Sequence, residues 1–108
     1  MSWDLSLVMD AGGDEPVAIG DLDENYTGNT NGMIREACGS SPSSWNGLPA
    51  SEVATLAATA AKAMRDDPDR FDAMNPANGW GSRATLVPVL EKIAEGCRAA
   101  PKATVRVT

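Results

Sequence analysis

At 108 residues, with 43% hydrophobic side chains, the chain is long enough for one domain with a single core. It holds no histidine, which removes the commonest general base, the commonest transition-metal ligand and every Ser-His or Cys-His nucleophile. The net charge of −6 is unevenly placed: residues 1–34 carry seven acids and no base, whereas residues 35–108 carry eight acids and nine bases, so the acidic end disfavours nucleic acid and favours a basic partner or a cation.

Trp3, Leu5, Leu7 and Met9 alternate with Asp4, Ser6, Val8 and Asp10, the period-two pattern of a strand over residues 2–10 with one buried face. Turn-forming residues follow from Ala11 to Pro16, and the apolar alternation of Val17, Ala18 and Ile19 predicts a return strand paired as a hairpin. Asp21-Leu22-Asp23-Glu24-Asn25 places oxygens at alternate positions, like the opening of a calcium loop. Tyr26 stands where such a loop needs glycine, and Gly32 where it needs a bidentate glutamate, so no metal site is expected. Asn29 or Asn31 can cap a short helix through Met33, Ile34, Ala37 and Cys38 that stops at Gly39. In the polar loop 40–47, Trp45 is expected to fold back onto the core.

From Leu48 onward, Val53, Leu56, Ala57, Ala60 and Met64 recur at helical spacing. This alanine-rich stripe calls for large partners, and the tryptophans and the leucines of the first strand are the ones expected. Asp67-Pro68 predicts an N-cap and first-turn proline for a short helix that buries Phe71 and breaks at Asn75-Pro76. Ser82 caps a last helix with Leu86, Leu90, Ile93 and Cys97 on its inner stripe. Pro88 inside that pattern predicts a bend, or a helix that settles only after residue 85. Pro101 stops the helix, and Ala103, Val105 and Val107 alternate as a third strand. Together these elements predict one α+β domain over residues 1–108: a small antiparallel sheet, made of the N-terminal hairpin and a C-terminal strand beside the first, covered on one face by three to four helices.

Cys38 and Cys97 share no metal or redox spacing and read as buried reduced thiols. With no apolar run of membrane-spanning length and no leader-like start, a cytoplasmic protein without a membrane partner is expected. An edge strand left open at either terminus would permit a homo-oligomer by sheet extension.

Two segments are dense in hydrogen-bonding side chains: residues 25–33 and the run Asn75-Pro76-Ala77-Asn78-Gly79-Trp80-Gly81. Each has two readings. The amides can satisfy backbone groups at turns and helix ends, with Trp80 plugging the core. Alternatively, if the segments meet, Asn25, Tyr26, Thr27, Asn29, Asn75, Asn78 and Trp80 form an aromatic wall beside several amides, suited to a nucleotide or a sugar. Asp14, Glu15, Asp21, Asp23 and Glu24 form a candidate acidic surface for a protein partner. No catalytic constellation stands out and no cofactor is expected; an enzyme would have to rest on Asp21 and Asp23 with a metal, which their spacing does not compel.

Three motifs carry a resemblance. Asn-Tyr-Thr-x-Asn-x-x-x-Met at 25–33, Asp-Pro-x-x-Phe-x-x-Met-Asn-Pro-x-Asn-Gly-Trp-Gly at 67–81 and Cys-x-x-x-Pro-x-Ala-Thr-Val-x-Val at 97–107 together resemble a family of small uncharacterised proteins of tailed phages and prophages. The resemblance runs over nearly the whole chain, and the Asn-Gly-Trp-Gly element is its most specific part. Members carry Asn-x-Thr-x-Asn ahead of a helical methionine, matched here by Asn25, Thr27, Asn29 and Met33, while Ile34 stands where many relatives have Trp or Ala. The resemblance implies a phage origin and an accessory role in the host cytoplasm, and it brings no reaction and no catalytic residue. The expected function is therefore non-enzymatic binding of a host protein, in takeover or counter-defence. The alternative is a protein that binds or sequesters a small nucleotide-like ligand.

Overall fold

The alternation at the amino end folds as β1 (Ser2–Met9), the central strand of a three-stranded antiparallel sheet, in a computed structural model that describes residues 1–108. Its flanks are β2 (Val17–Thr27) and β3 (Thr104–Val107), so the last strand does lie beside the first. Trp3, Leu5 and Leu7 are buried under the helices, as a half-buried strand requires. The pairing with β2 runs from Ser2 opposite Thr27 to Ser6 opposite Asp23, then resumes with Val8 opposite Ala18. Residues 19–22 therefore bulge opposite Leu7. The bulge turns Leu22 toward the helical layer, where its side chain lies against Gly96.

Two details of β1 differ from the expected alternation. Met9 is exposed and Val8 is buried. The pairing with β3 ends at Val8 opposite Thr104, and the hairpin runs on past the three-stranded part of the sheet, so Met9 lies at the margin of the covered face. The return strand is also longer than its apolar start suggests, because Asp21 to Thr27, beyond the predicted alternation of Val17, Ala18 and Ile19, continue β2.

Four α-helices follow the hairpin: α1 (Asn31–Cys38), α2 (Ala50–Asp66), α3 (Pro68–Asp72) and α4 (Arg83–Ala99). Thr27 and a single 3₁₀ turn over Gly28–Thr30 lead into α1, whose Met33 and Ile34 are buried. Trp45 is fully buried, and its Nε1–H donates to Ser40 Oγ at 2.9 Å, which satisfies the one polar atom it carries inward. The alanine stripe of α2 is covered chiefly by α4, with Leu86, Leu90 and Ile93 sealed in the shared core. The expectation of tryptophans and strand leucines as its main partners is corrected accordingly: small side chains on α2 let a second helix approach closely and do most of the covering.

Phe71 is fully buried on α3, as predicted, but the Asp67 side chain makes no capping bond there. Ser82 does cap α4, accepting the Thr85 N–H at 3.2 Å. The helix begins at Arg83 and continues through Pro88, so it does not wait for residue 85. Pro88 and Ala84 are both exposed, which leaves the carbonyl that loses its donor on the solvent side, where water can replace the missing bond.

The cysteines are free thiols. Cys97 is sealed in the core, and burial pushes its pKa up to about 11. Cys38 is only half-buried, with its thiol against the Ser40 carbonyl at 3.3 Å. No helix is long and apolar enough to cross a membrane.

The outer edge of β3 is covered by the segment before α2. Gly47 N–H donates to Val105 O at 2.8 Å, Val105 N–H to Leu48 O at 2.9 Å, and Val107 N–H to Asn46 Oδ1 at 2.9 Å. The strand at the amino end is central and the strand at the carboxyl end is covered, so the sheet's free edge belongs to β2, at neither terminus.

A candidate site around Trp80

The second half of β2 delivers Asn25, Tyr26 and Thr27 to one corner of the molecule. Strand alternation sends Tyr26 inward, where its ring lies 6.2 Å from that of Trp3, while Asn25 faces out and donates from Nδ2 to Asp4 Oδ1 at 2.8 Å. The Tyr26 hydroxyl accepts the Ser82 N–H at 3.0 Å and lies 2.6 Å from Thr85 Oγ1. One phenol thus ties the strand to the start of α4. The neighbouring Trp3 indole, buried in the same layer, donates to Asn31 Oδ1 at 3.1 Å.

The turn that carries Trp80 is held against this corner at Gly81. Its φ is +92°, and a methyl group built there would meet Thr27 Cγ2 at 2.6 Å, Thr30 Cγ2 at 3.0 Å and the Tyr26 hydroxyl at 3.2 Å. Only glycine allows the backbone to come so close at that angle. Upstream, Asn78 Oδ1 accepts the Trp80 N–H at 2.9 Å, and Gly79 N–H bonds back to Pro76 O at 3.2 Å. Asn75 Oδ1 accepts the Arg83 N–H at 2.8 Å, a partner for the exposed start of α4.

These contacts leave the Trp80 side chain outside. It is 68% exposed, by far the most exposed aromatic ring in the protein. The reading in which Trp80 plugs the core is therefore overturned. Trp3, Trp45 and Phe71 already fill the interior, and the clamp at Gly81 fixes the turn with its indole pointing away.

Beside the indole lies an open recess of 720 Å³ lined by Met1, Ser2, Asn25, Tyr26, Thr27, Asn29, Asn78 and Trp80. Six of the seven side chains singled out in the sequence meet there. Asn75 does not, because the helix start uses it. Thr27 lines the recess, but its hydroxyl is engaged locally, accepting the Asn29 N–H at 3.3 Å. The Asn29 carboxamide, Asn78 Nδ2, Asn25 Oδ1 and Trp80 Nε1 have no protein partner. Their donors and acceptors open onto a wall that carries no charged side chain. Met1 and Ser2 are additions that the side-chain pattern did not suggest. They follow from strand register, since Ser2 lies opposite Thr27 and Gly28 N–H donates to Met1 O at 2.6 Å.

The acidic residues lie apart from the indole, along the hairpin. Asp14 and Glu15 are in its exposed turn, Asp21 is in the bulge, Asp23 is exposed on β2 and Glu24 is half-buried there. None of the five forms an ion pair; the protein's four ion pairs all join residues of the helical part. No group of three metal-ligating side chains is present. No family model, curated protein or solved structure matches the chain.

Proposed function

We propose that this chain is a non-enzymatic accessory protein that binds another protein through the surface around Trp80. The observation that carries the reading is the indole itself, 68% exposed on a turn whose geometry is held by Gly81, Asn78 and Asn75. Leaving a tryptophan in water forfeits on the order of several kcal/mol of possible burial, and rigidly presented aromatics of this kind are the usual anchors of protein interfaces. The adjoining recess is open and lined by no charged side chain, with free carboxamides at its margin, which suits a partner that brings backbone or side-chain amides of its own. The resemblance to small phage proteins supplies the setting in which a host protein is the partner.

A second reading is favoured by the size of the recess. At 720 Å³ it falls within the range of small-molecule sites, and an indole beside carboxamides can stack and hydrogen-bond a flat neutral ring such as a nucleobase. The two readings part in one experiment. Affinity capture from bacterial lysate with the native chain and with Trp80→Ala should yield proteins held only by the native form. Identical capture by both forms, with circular dichroism showing both folded, would refute a protein interface at this surface. A parallel thermal-shift screen of nucleosides and nucleotides tests the small-ligand reading, since a ligand at 100 times its Kd stabilises by about 2.7 kcal/mol. A shift that disappears in Trp80→Ala would select that reading.

A further inference from the structure

We infer that the free edge of β2 docks an extended, basic segment of the protein partner, which adds a fourth strand to the sheet with one end at Trp80. This inference rests on the protein-binding reading above. The backbone register identifies the groups involved. Asp4 exchanges both of its hydrogen bonds with Thr108, at 2.9 Å each, so the even residues of β1 bond toward β3 and the odd ones toward β2. Trp3 and Leu5 then bond to Tyr26 and Glu24, their partners in register. By alternation Asp23 and Asn25 turn their N–H and C=O groups outward, and no turn or loop backbone meets them, whereas the edge closes at Thr27, whose carbonyl accepts from Thr30 Oγ1 at 3.4 Å. Asp23 and Asn25 are exposed as well. Unpaired strand backbone of this kind is the template on which an added strand binds.

The ends of this edge are furnished differently. Residues 25–27 run into the Trp80 recess. Residues 20–24 run into a second groove of 580 Å³ between the bulge and α4, with Leu22 and Ala99 among its apolar surfaces, Asp21, Glu24 and Glu95 as its acids and Lys92 as its one base. From Asp21 to Thr27 the strand spans about 20 Å at roughly 3.3 Å per residue, the reach of a six- or seven-residue peptide.

Charge selects the occupant. An added strand presents alternate side chains to both faces of the sheet, and both faces of β2 carry unpaired carboxylates: Glu24 with Glu95 on the helical side, Asp23 on the open side. Lysine or arginine at alternate positions therefore meets an acid in either register. A second copy of this chain is disfavoured, because its own edge brings Asp21, Asp23 and Glu24 and no lysine or arginine to set against them.

The test is amide NMR on the full chain with a capped hexapeptide alternating lysine and threonine, and with the glutamate-threonine peptide as its control. Docking predicts shifts over residues 21–27, slowed hydrogen exchange at the Asp23 and Asn25 amides, and weaker binding at higher salt. Asp23→Asn and Glu24→Gln should each weaken binding by about twofold to fivefold, the range of one cross-strand ion pair. Equal binding of the acidic peptide, shifts confined to other surfaces, or no protection of the two amides at millimolar peptide would overturn the inference. So would a dimer of the chain alone that protects the same amides. Trp80-dependent capture that persists without edge protection would leave the proposed function standing and remove only this docking mode.

Discussion

Gly81→Ala is the most direct probe of how the recess is assembled, and Gly79→Ala is its internal control. Both glycines sit in the left-handed region, at φ +92° and +77°, so each substitution carries a backbone cost of about 1–2 kcal/mol. Both also gain the same small benefit from a stiffer unfolded chain, which cancels in the comparison. The positions differ in surroundings. A methyl group at residue 79 meets nothing within 4 Å, whereas one at residue 81 meets Thr27 at 2.6 Å and Thr30 at 3.0 Å. Relieving that overlap requires the turn or the Thr27 corner to move, which adds about 1–3 kcal/mol. Gly81→Ala should therefore cost about 2–5 kcal/mol in all, and exceed Gly79→Ala by about 1–3 kcal/mol. Urea denaturation followed by far-ultraviolet circular dichroism, extrapolated linearly, measures both. Equal losses in the two variants would show that the turn is not clamped to β2, and the joined recess would lose its physical basis.

The tryptophans should separate by burial. Trp45→Ala, which empties a fully enclosed site, is expected to cost about 3–5 kcal/mol in the same urea experiment, while Trp80→Ala should cost less than about 1 kcal/mol because most of its ring is already in water. Alkaline pH should act through Cys97. Its thiol ionises only near pH 11 in the folded chain but from about its ordinary value of 9.0 when unfolded, so the folded state binds the extra proton and stability falls as pH rises between those values. Subtracting the pH profile of Cys97→Ala isolates that fall from other groups titrating in the range; a flat difference would contradict the buried thiol.

The elements that the sequence made legible are those whose apolar periodicity is strong. Trp3, Leu5 and Leu7 announce a strand with one dry face, and the stripes through Met64 and Ile93 announce the two long helices that press together. The long second half of β2 was hidden because it is a polar edge strand. Gly20 and the bulge interrupt its alternation, and Asp21, Asp23 and Asn25 face water at their positions. A pattern of apolar residues cannot report a strand that buries so little. The meeting of the two amide-rich segments was open to anticipation through residue chemistry, yet the direction of the Trp80 ring was not. Asn-Gly-Trp-Gly fits a turn that faces in as well as one that faces out, and the outcome depends on the contact between Gly81 and residues distant in sequence. Asn75 shows the same limit from the other side, since an amide next to the recess is drawn to the unsatisfied start of α4.

The order of strands in the sheet bears on how the molecule comes into being. β1 is made first but sits in the middle, and its pairing with β3 sets Ser6 opposite Arg106. At ribosomal speeds of about 5–20 residues per second, the leucine-bearing strand waits roughly 5–20 s before the segment that completes it can be synthesised. Throughout that interval a hydrophobic ribbon with one vacant flank is attached to a growing helical layer. The sheet can therefore close only after β3 has been made, and until then the exposed flank of β1 is the stretch most open to wrong pairing.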